Sequence, residues 1–181
     1  MRGHNTQFYV LEHYLRLKTA FPEHWLSALQ VLTQSPRLSM EVDLSAGPKT
    51  FLGCLSSLET GSVTVFGFCL NSASTIFGSN ADTATIFMPL HGTVDFTVAG
   101  QQFVSSPGAP FVLDAGVEFF VRLSPEVHLF LAQPSEPVSR ESGRHPENGD
   151  PQLVRLLESY LIETPFFRDH QHAVKRTIRF G

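Results

Sequence analysis

Ile86-Phe-Met-Pro-Leu-His-Gly-Thr-Val-Asp-Phe-Thr-Val-Ala-Gly-Gln-Gln-Phe-Val-Ser-Ser-Pro-Gly-Ala-Pro-Phe-Val-Leu-Asp114 reads as three short strands joined by two tight turns. Val94, Phe96 and Val98 alternate with Thr93, Asp95 and Thr97. Side chains two apart in a strand share a face, so one face is apolar and the other polar, the pattern of a half-buried strand. Ala99-Gly100 brings the glycine that a tight hairpin needs for positive φ, and Gln101 to Ser105 returns with Phe103 pointing inward. Pro107-Gly108 then turns the chain into Phe111-Val-Leu, with proline presetting φ for the first central turn position and glycine accommodating the second.

The same strand period extends from Leu38 to Ala132. Candidate strands are Ser39–Leu44, Thr50–Ser57, Ser62–Leu70, Thr83–Met88, Thr93–Val98, Gln101–Ser105, Ala109–Leu113, Phe119–Leu123 and Val127–Ala132. Turn signals lie between them, among them Gly47-Pro48, Glu59-Thr-Gly61, Asn71-Ser-Ala-Ser, Gly78-Ser-Asn-Ala-Asp82, Ala115-Gly116 and Ser124-Pro125. Many short, evenly spaced strands predict a sandwich or barrel, and the Phe-rich inward faces favour a double-sheet jelly roll.

Helical spacing flanks this region. Phe8, Leu11, Tyr14 and Leu15 predict a short amphipathic helix over Phe8–Leu17. Pro22 fits the first position of a second helix with Trp25, Leu26, Leu29 and Leu32 as its apolar stripe, and Ser35-Pro36 stops it. Prolines, glycines and charges from Gln133 to Asp150 mark an exposed connector. Asp150-Pro151 opens a last helix whose stripe is Leu153, Leu156, Leu157, Tyr160 and Leu161. The expected organisation is therefore a helical segment over 1–37, a β-barrel over 38–133, a linker over 134–149 and a C-terminal helical segment over 150–181.

Composition limits the function classes. No apolar run approaches a membrane span and the N-terminus lacks the apolar core of a signal peptide, so a cytoplasmic protein with no membrane partner is expected. Between Leu38 and Pro134 only Lys49 and Arg122 are basic, against eight acidic residues, a balance that repels phosphate backbones. A turn at Glu59-Thr60-Gly61 would set Cys54 opposite a residue near Phe66, so Cys54 and Cys69 are expected not to face each other and read as buried small hydrophobes.

The order of helices, barrel, linker and helix resembles the N-terminal sensor domain of AraC-type transcription regulators, the cupin-like subgroup. The residues that carry the resemblance are Phe21-Pro-Glu-His-Trp25, Met88-Pro-Leu-His-Gly92, Val98-Ala-Gly-Gln101 and Ser106-Pro-Gly108 with Phe111-Val-Leu-Asp114, within a match running from Phe8 to Leu161. It implies a cupin-like double-stranded β-helix that binds a small-molecule effector and pairs as a homodimer through Leu153–Leu161. Such regulators continue for about a hundred residues into a helix-turn-helix unit. This sequence holds no recognition helix with a basic stripe, so DNA contact is expected only through a further domain outside this chain.

Metal-dependent cupins carry a His-x-His and an acidic residue where this sequence has Gly78-Ser-Asn-Ala-Asp82, and a further His where it has Phe119 or Phe120. Only His91 and His128, with Asp95, Asp114, Glu118 or Glu126, are left as donors, whereas a catalytic metal site needs about three protein ligands on one wall. No nucleophile motif occurs either. No metal, cofactor or enzymatic activity is therefore expected. What remains is a cavity lined by Phe66, Phe68, Phe87, Phe96 and Phe103, with His91 as its polar anchor at the mouth. The bland alternatives are a filled core and a His91 bonded only to its own turn. Two other functions stay open: a small cupin enzyme with an atypical metal site, and a stand-alone binding module.

Overall fold

The computed structural model describes residues 11–45, 48–59, 63–80 and 83–134. In chain order the elements are β1 (Leu15–Thr19), α1 (Pro22–Leu32), β2 (Ser39–Asp43), β3 (Gly53–Glu59), β4 (Val63–Leu70), β5 (Ala73–Ser79), β6 (Thr85–His91), β7 (Val94–Val98), β8 (Gln101–Ser105), β9 (Phe111–Leu113), β10 (Glu118–Leu123) and β11 (Val127–Pro134). The fold is mainly β. The strands pair only antiparallel, in a six-stranded sheet ordered β1-β3-β4-β11-β6-β9 and a five-stranded sheet ordered β2-β5-β10-β7-β8.

Side-chain alternation makes the two inner faces the core. Phe66, Phe68 and Leu70 of β4, Val94 and Phe96 of β7, Phe119, Val121 and Leu123 of β10, and Val127, Leu129 and Leu131 of β11 form one buried cluster. The outer faces differ. On the five-stranded sheet the cross-strand row Glu41, Thr75, Arg122 and Asp95 meets water. The six-stranded sheet instead carries a second buried cluster of Leu11, Cys54, Val65, Cys69, Ile86, Met88, Phe130 and Ala132. Strands buried on both faces read as near-continuous apolar runs, as β4 and β11 do.

The expected helix at Pro22 forms, with proline at the start, where a missing N–H leaves no bond unmade. It ends in a Schellman arrangement: Gln34, at φ 53°, donates its N–H to Val31 O (3.3 Å), and Ser35 donates to Gln30 O (2.9 Å). Trp25 and Leu29 are its buried residues, and the helix packs on β1, β2 and β3, closing that side of the sandwich.

Several expectations need correction. No helix runs to Leu17: Glu12–Tyr14 is a single 3-10 turn and Leu15–Thr19 is the edge strand β1, paired with β3, with Leu17 packed on the core. Strand pairing supplies backbone partners that a lone helix of that length would have to find for itself. Residues 15–19 thus belong to the six-stranded sheet, while residues 1–10 of the expected helical segment lie outside the described residues. β5 was hidden by the turn-like residues at Ala73-Ser74 and Gly78-Ser79, which bracket Thr75-Ile-Phe77, yet it lies inside the five-stranded sheet between β2 and β10. Cys54 and Cys69 do face each other, because Glu59 pairs with Thr64 and not with Gly61, which sets Cys54 directly opposite Cys69. That register keeps Phe66, Phe68 and Leu70 inward, and a slip by an odd number of residues would have turned them out. The linker over 134–149 and the C-terminal helix with Leu153, Leu156, Leu157, Tyr160 and Leu161 lie outside the described residues, apart from Pro134 at the end of β11. Among the described residues no helix is long and apolar enough to cross a membrane.

The β7–β8 turn forms as expected, with Ala99 at φ 50° and Gly100 at φ 77°. Positive φ at both central positions is the type I′ hairpin turn, for which Asn-Gly is the preferred pair. Alanine in the left-handed region costs about 1–2 kcal/mol and asparagine less. Ala99→Asn is therefore expected to stabilise the fold by about 0.5–1 kcal/mol, read as a rise in Tm of a few degrees.

Candidate ligand cavity

Two cross-strand phenylalanine pairs face each other where the sheets end in β8 and β9. Phe87 pairs with Phe111 in one sheet, and Phe96 with Phe103 in the other. The rings of the first pair stack at 5.1 Å and those of the second at 5.9 Å, while Phe96 and Phe111 touch across the gap with centroids 3.8 Å apart. Phe119 continues the chain of rings inward, 6.5 Å from Phe87. Phe103, 38% exposed, is the outer end of this run and Phe87, Phe96 and Phe119 the inner end, so aromatic contact leads from solvent into the sandwich.

Beneath those inner rings lies a cavity of about 30 Å³, room for about one water molecule. Phe68, Phe87, Phe96, Phe119, Leu129 and Leu131 make its apolar wall, and α1 and the residues after it contribute Leu29, Thr33 and Ser35. Asn80, Thr85 and Gln133 add a polar corner. Gln133 Nε2 donates to Thr85 Oγ1 at 2.9 Å and, longer, to the Thr33 carbonyl at 3.5 Å. Thr85 Oγ1 donates to Asn80 Oδ1 at 2.9 Å. Asn80 Nδ2 lies 3.0–3.1 Å from the carbonyls of Thr83, Leu113 and Asp114, three acceptors for its two hydrogens. Among the described residues no buried side-chain nitrogen or oxygen lacks a partner. A ligand entering here would meet an apolar wall and a polar corner whose bonds are already made, so uncharged guests fit its chemistry.

The expected site residues divide. Phe68, Phe87 and Phe96 line the cavity, whereas Phe103, expected to point inward, does not: it is exposed at the sheet edge and stacks on the outer side of Phe96. Phe66 is in the core but not in the lining. His91 does not anchor the cavity: it lies on the outer face of the six-stranded sheet, opposite His128 across a β6–β11 bulge, and is exposed. The β6 bulge at Leu90, between Pro89 and His91, shifts the alternation there, which the sequence pattern alone does not reveal. Sequence reasoning passed over Asn80, Thr85 and Gln133. Asn80 sits in a stretch whose composition signals a turn, and the other two look like ordinary strand residues. Among the described residues no set of three or more His, Cys, Asp or Glu side chains could hold a metal ion.

No family model and no curated protein matches the chain. Among solved structures it is similar to the AraC-like transcriptional activator CuxR, with a TM-score of 0.55 and 15% identity, over 81% of this chain and 58% of that one. It is also similar to an RmlC-like cupin from Shewanella frigidimarina (TM-score 0.41, 13% identity, 71% and 96% of the two chains). A cupin superfamily protein from Desulfitobacterium hafniense gives a TM-score of 0.41 at 11% identity, over 48% and 78%. The chain spans less than two thirds of CuxR, and at this identity the likeness is one of fold alone. The double-sheet architecture expected from the strands over Leu38–Ala132 is the fold this chain shares with an AraC-like transcriptional activator.

Proposed function

We propose that the chain is the effector-sensing and dimerisation domain of an AraC-type transcription regulator, working in the cytoplasm and reaching DNA through a further helix-turn-helix domain outside this chain. The observation that carries the reading is the position of Gln133. It lines the cavity, bonds Thr85 on β6 and reaches the Thr33 carbonyl just after α1, and it sits at the end of the last strand, where the chain leaves for residues 135–181. A small uncharged effector that widens this cavity of about 30 Å³ and presses on the corner would change how α1 and the end of β11 are held together. Any segment continuing from β11 then feels the difference. The fold shared with an AraC-like activator supports the same reading.

An antibody to this domain is expected to detect, in cells of the source organism, a protein well above the 20.1 kDa of this chain. A band at 20.1 kDa overturns the regulator reading. Sedimentation is expected to show a dimer for the wild type and a folded monomer for Leu157→Asp, since a carboxylate at the proposed dimer seam would have to be buried without a partner. A wild-type monomer, or a dimer unaffected by the substitution, overturns the dimerisation part.

A further inference from the structure

The outer face of the six-stranded sheet carries a cross-strand row that the cavity does not use. His91 on β6 lies opposite His128 on β11, His128 opposite Cys69 on β4, and Cys69 opposite Cys54 on β3. Every member is a side-chain type that binds borderline or soft metals. Strands about 4.8 Å apart spread the row over about 14 Å, too far for one ion to engage all four. Both thiols are buried in the apolar outer cluster, whereas His91 is exposed and His128 half-buried. The two imidazoles are therefore the part of the row that an ion from solvent can reach.

Their spacing fits one ion. The ring centroids are 5.7 Å apart and the planes 69° from parallel. With metal–nitrogen bonds of about 2.0–2.1 Å, two imidazoles on one near-tetrahedral ion have centroids about 5–6 Å apart. Neither ring is hydrogen-bonded to a described residue, so among the described residues no bond has to break before a nitrogen turns to a metal. The β6 bulge places His91 beside its partner, and bulges commonly re-aim a side chain in this way.

We infer that His91 and His128 form a two-imidazole site for a borderline divalent cation such as Zn²⁺ or Ni²⁺ on the outside of the barrel. Water completes the coordination, since no third donor converges among the described residues. Hard, oxygen-seeking Mg²⁺ is excluded by an all-nitrogen pair. The site stands apart from the interior cavity and does not rest on the regulator reading.

The test is a titration of the full 181-residue chain with Ni²⁺, followed through the assigned histidine ring protons and checked by the shift in Tm. The ring signals of His91 and His128 are expected to broaden before those of the six other histidines, and Mg²⁺ to leave all of them unchanged. His91→Gln and His128→Gln are each expected to weaken binding about tenfold or more, since loss of a direct ligand costs at least as much as loss of its supporting partner. Circular dichroism without metal confirms that each variant is folded; should either fail to fold, the order of broadening in the wild type decides alone. Earlier broadening of another histidine, or a loss below about tenfold in a folded variant, overturns the assignment.

Discussion

Trp25→Ala is expected to destabilise the chain by about 3–5 kcal/mol. Domain stabilities run to about 5–15 kcal/mol, so the variant retains a small margin or none. Trp25 is fully buried, stands edge-on to Phe68 with centroids 5.3 Å apart, and donates its indole N–H to the Cys54 carbonyl at 3.2 Å. It is the contact that seats α1 on β3. Removing it leaves a void against Phe68 and takes a donor from a buried carbonyl, two losses that the surrounding strands are too constrained to relax away.

The counterpart of that contact is Gly53, the first residue of β3. A Cβ there would lie 2.4 Å from Trp25 Cδ1 and 2.8 Å from Phe51 Cζ, closer than atoms can approach. Gly53→Ala is expected to displace the indole and, like other overpacked cores, to lose about 1–3 kcal/mol. In the Trp25→Ala background the clash with the indole is gone and only the one with the tip of the Phe51 ring remains, so the penalty should shrink. Urea denaturation followed by circular dichroism on the two single variants and the double variant measures the coupling. Additive effects would mean that the helix is not seated by this contact.

The contact also shows what was legible. The helix start at Pro22 and the apolar spacing of Trp25 and Leu29 are local properties, and they read correctly because the physics that sets them acts within one helical turn. The hairpin through Ala99-Gly100 was readable for the same reason. β1 was not: its residues fit a helical stripe as well as a strand, and pairing with β3 decided the matter from far along the chain. The Cys54–Cys69 register depended on where the β3–β4 connection turns, and a small error there misplaced both thiols. The aromatic half of the cavity was visible in Phe68, Phe87 and Phe96, since alternation assigns each an inward face. Its polar half joins Asn80 and Thr85, which lie near each other in the chain, to Gln133 far along it, and only the closed sandwich makes Gln133 their neighbour.

Asn80 is where that polar corner is most exposed to damage. Asn80→Ala is expected to destabilise by about 2–4 kcal/mol, because buried groups left without partners cost their full desolvation penalty. The side chain is 8% exposed, its Nδ2 serves the carbonyls of Thr83, Leu113 and Asp114, and its Oδ1 accepts from Thr85. Alanine leaves all four without that partner. Asn80→Asp separates shape from chemistry, since it keeps the outline and the acceptor for Thr85 but directs a carboxylate at three carbonyl oxygens. Burial and those carbonyls raise the folded-state pKa of such a group above its unfolded value of about 3.9. The folded form then binds the proton more tightly than the unfolded form, and stability rises as pH falls. Urea midpoints for Asn80→Asp should therefore recover towards wild type between pH 7 and pH 4.5, while those for Asn80→Ala keep a constant gap. A carboxylate variant that tracks the wild type at every pH would mean that water reaches this corner freely. The cavity would then be an open inlet, and the bonded end of the sandwich would not carry the coupling assigned to Gln133.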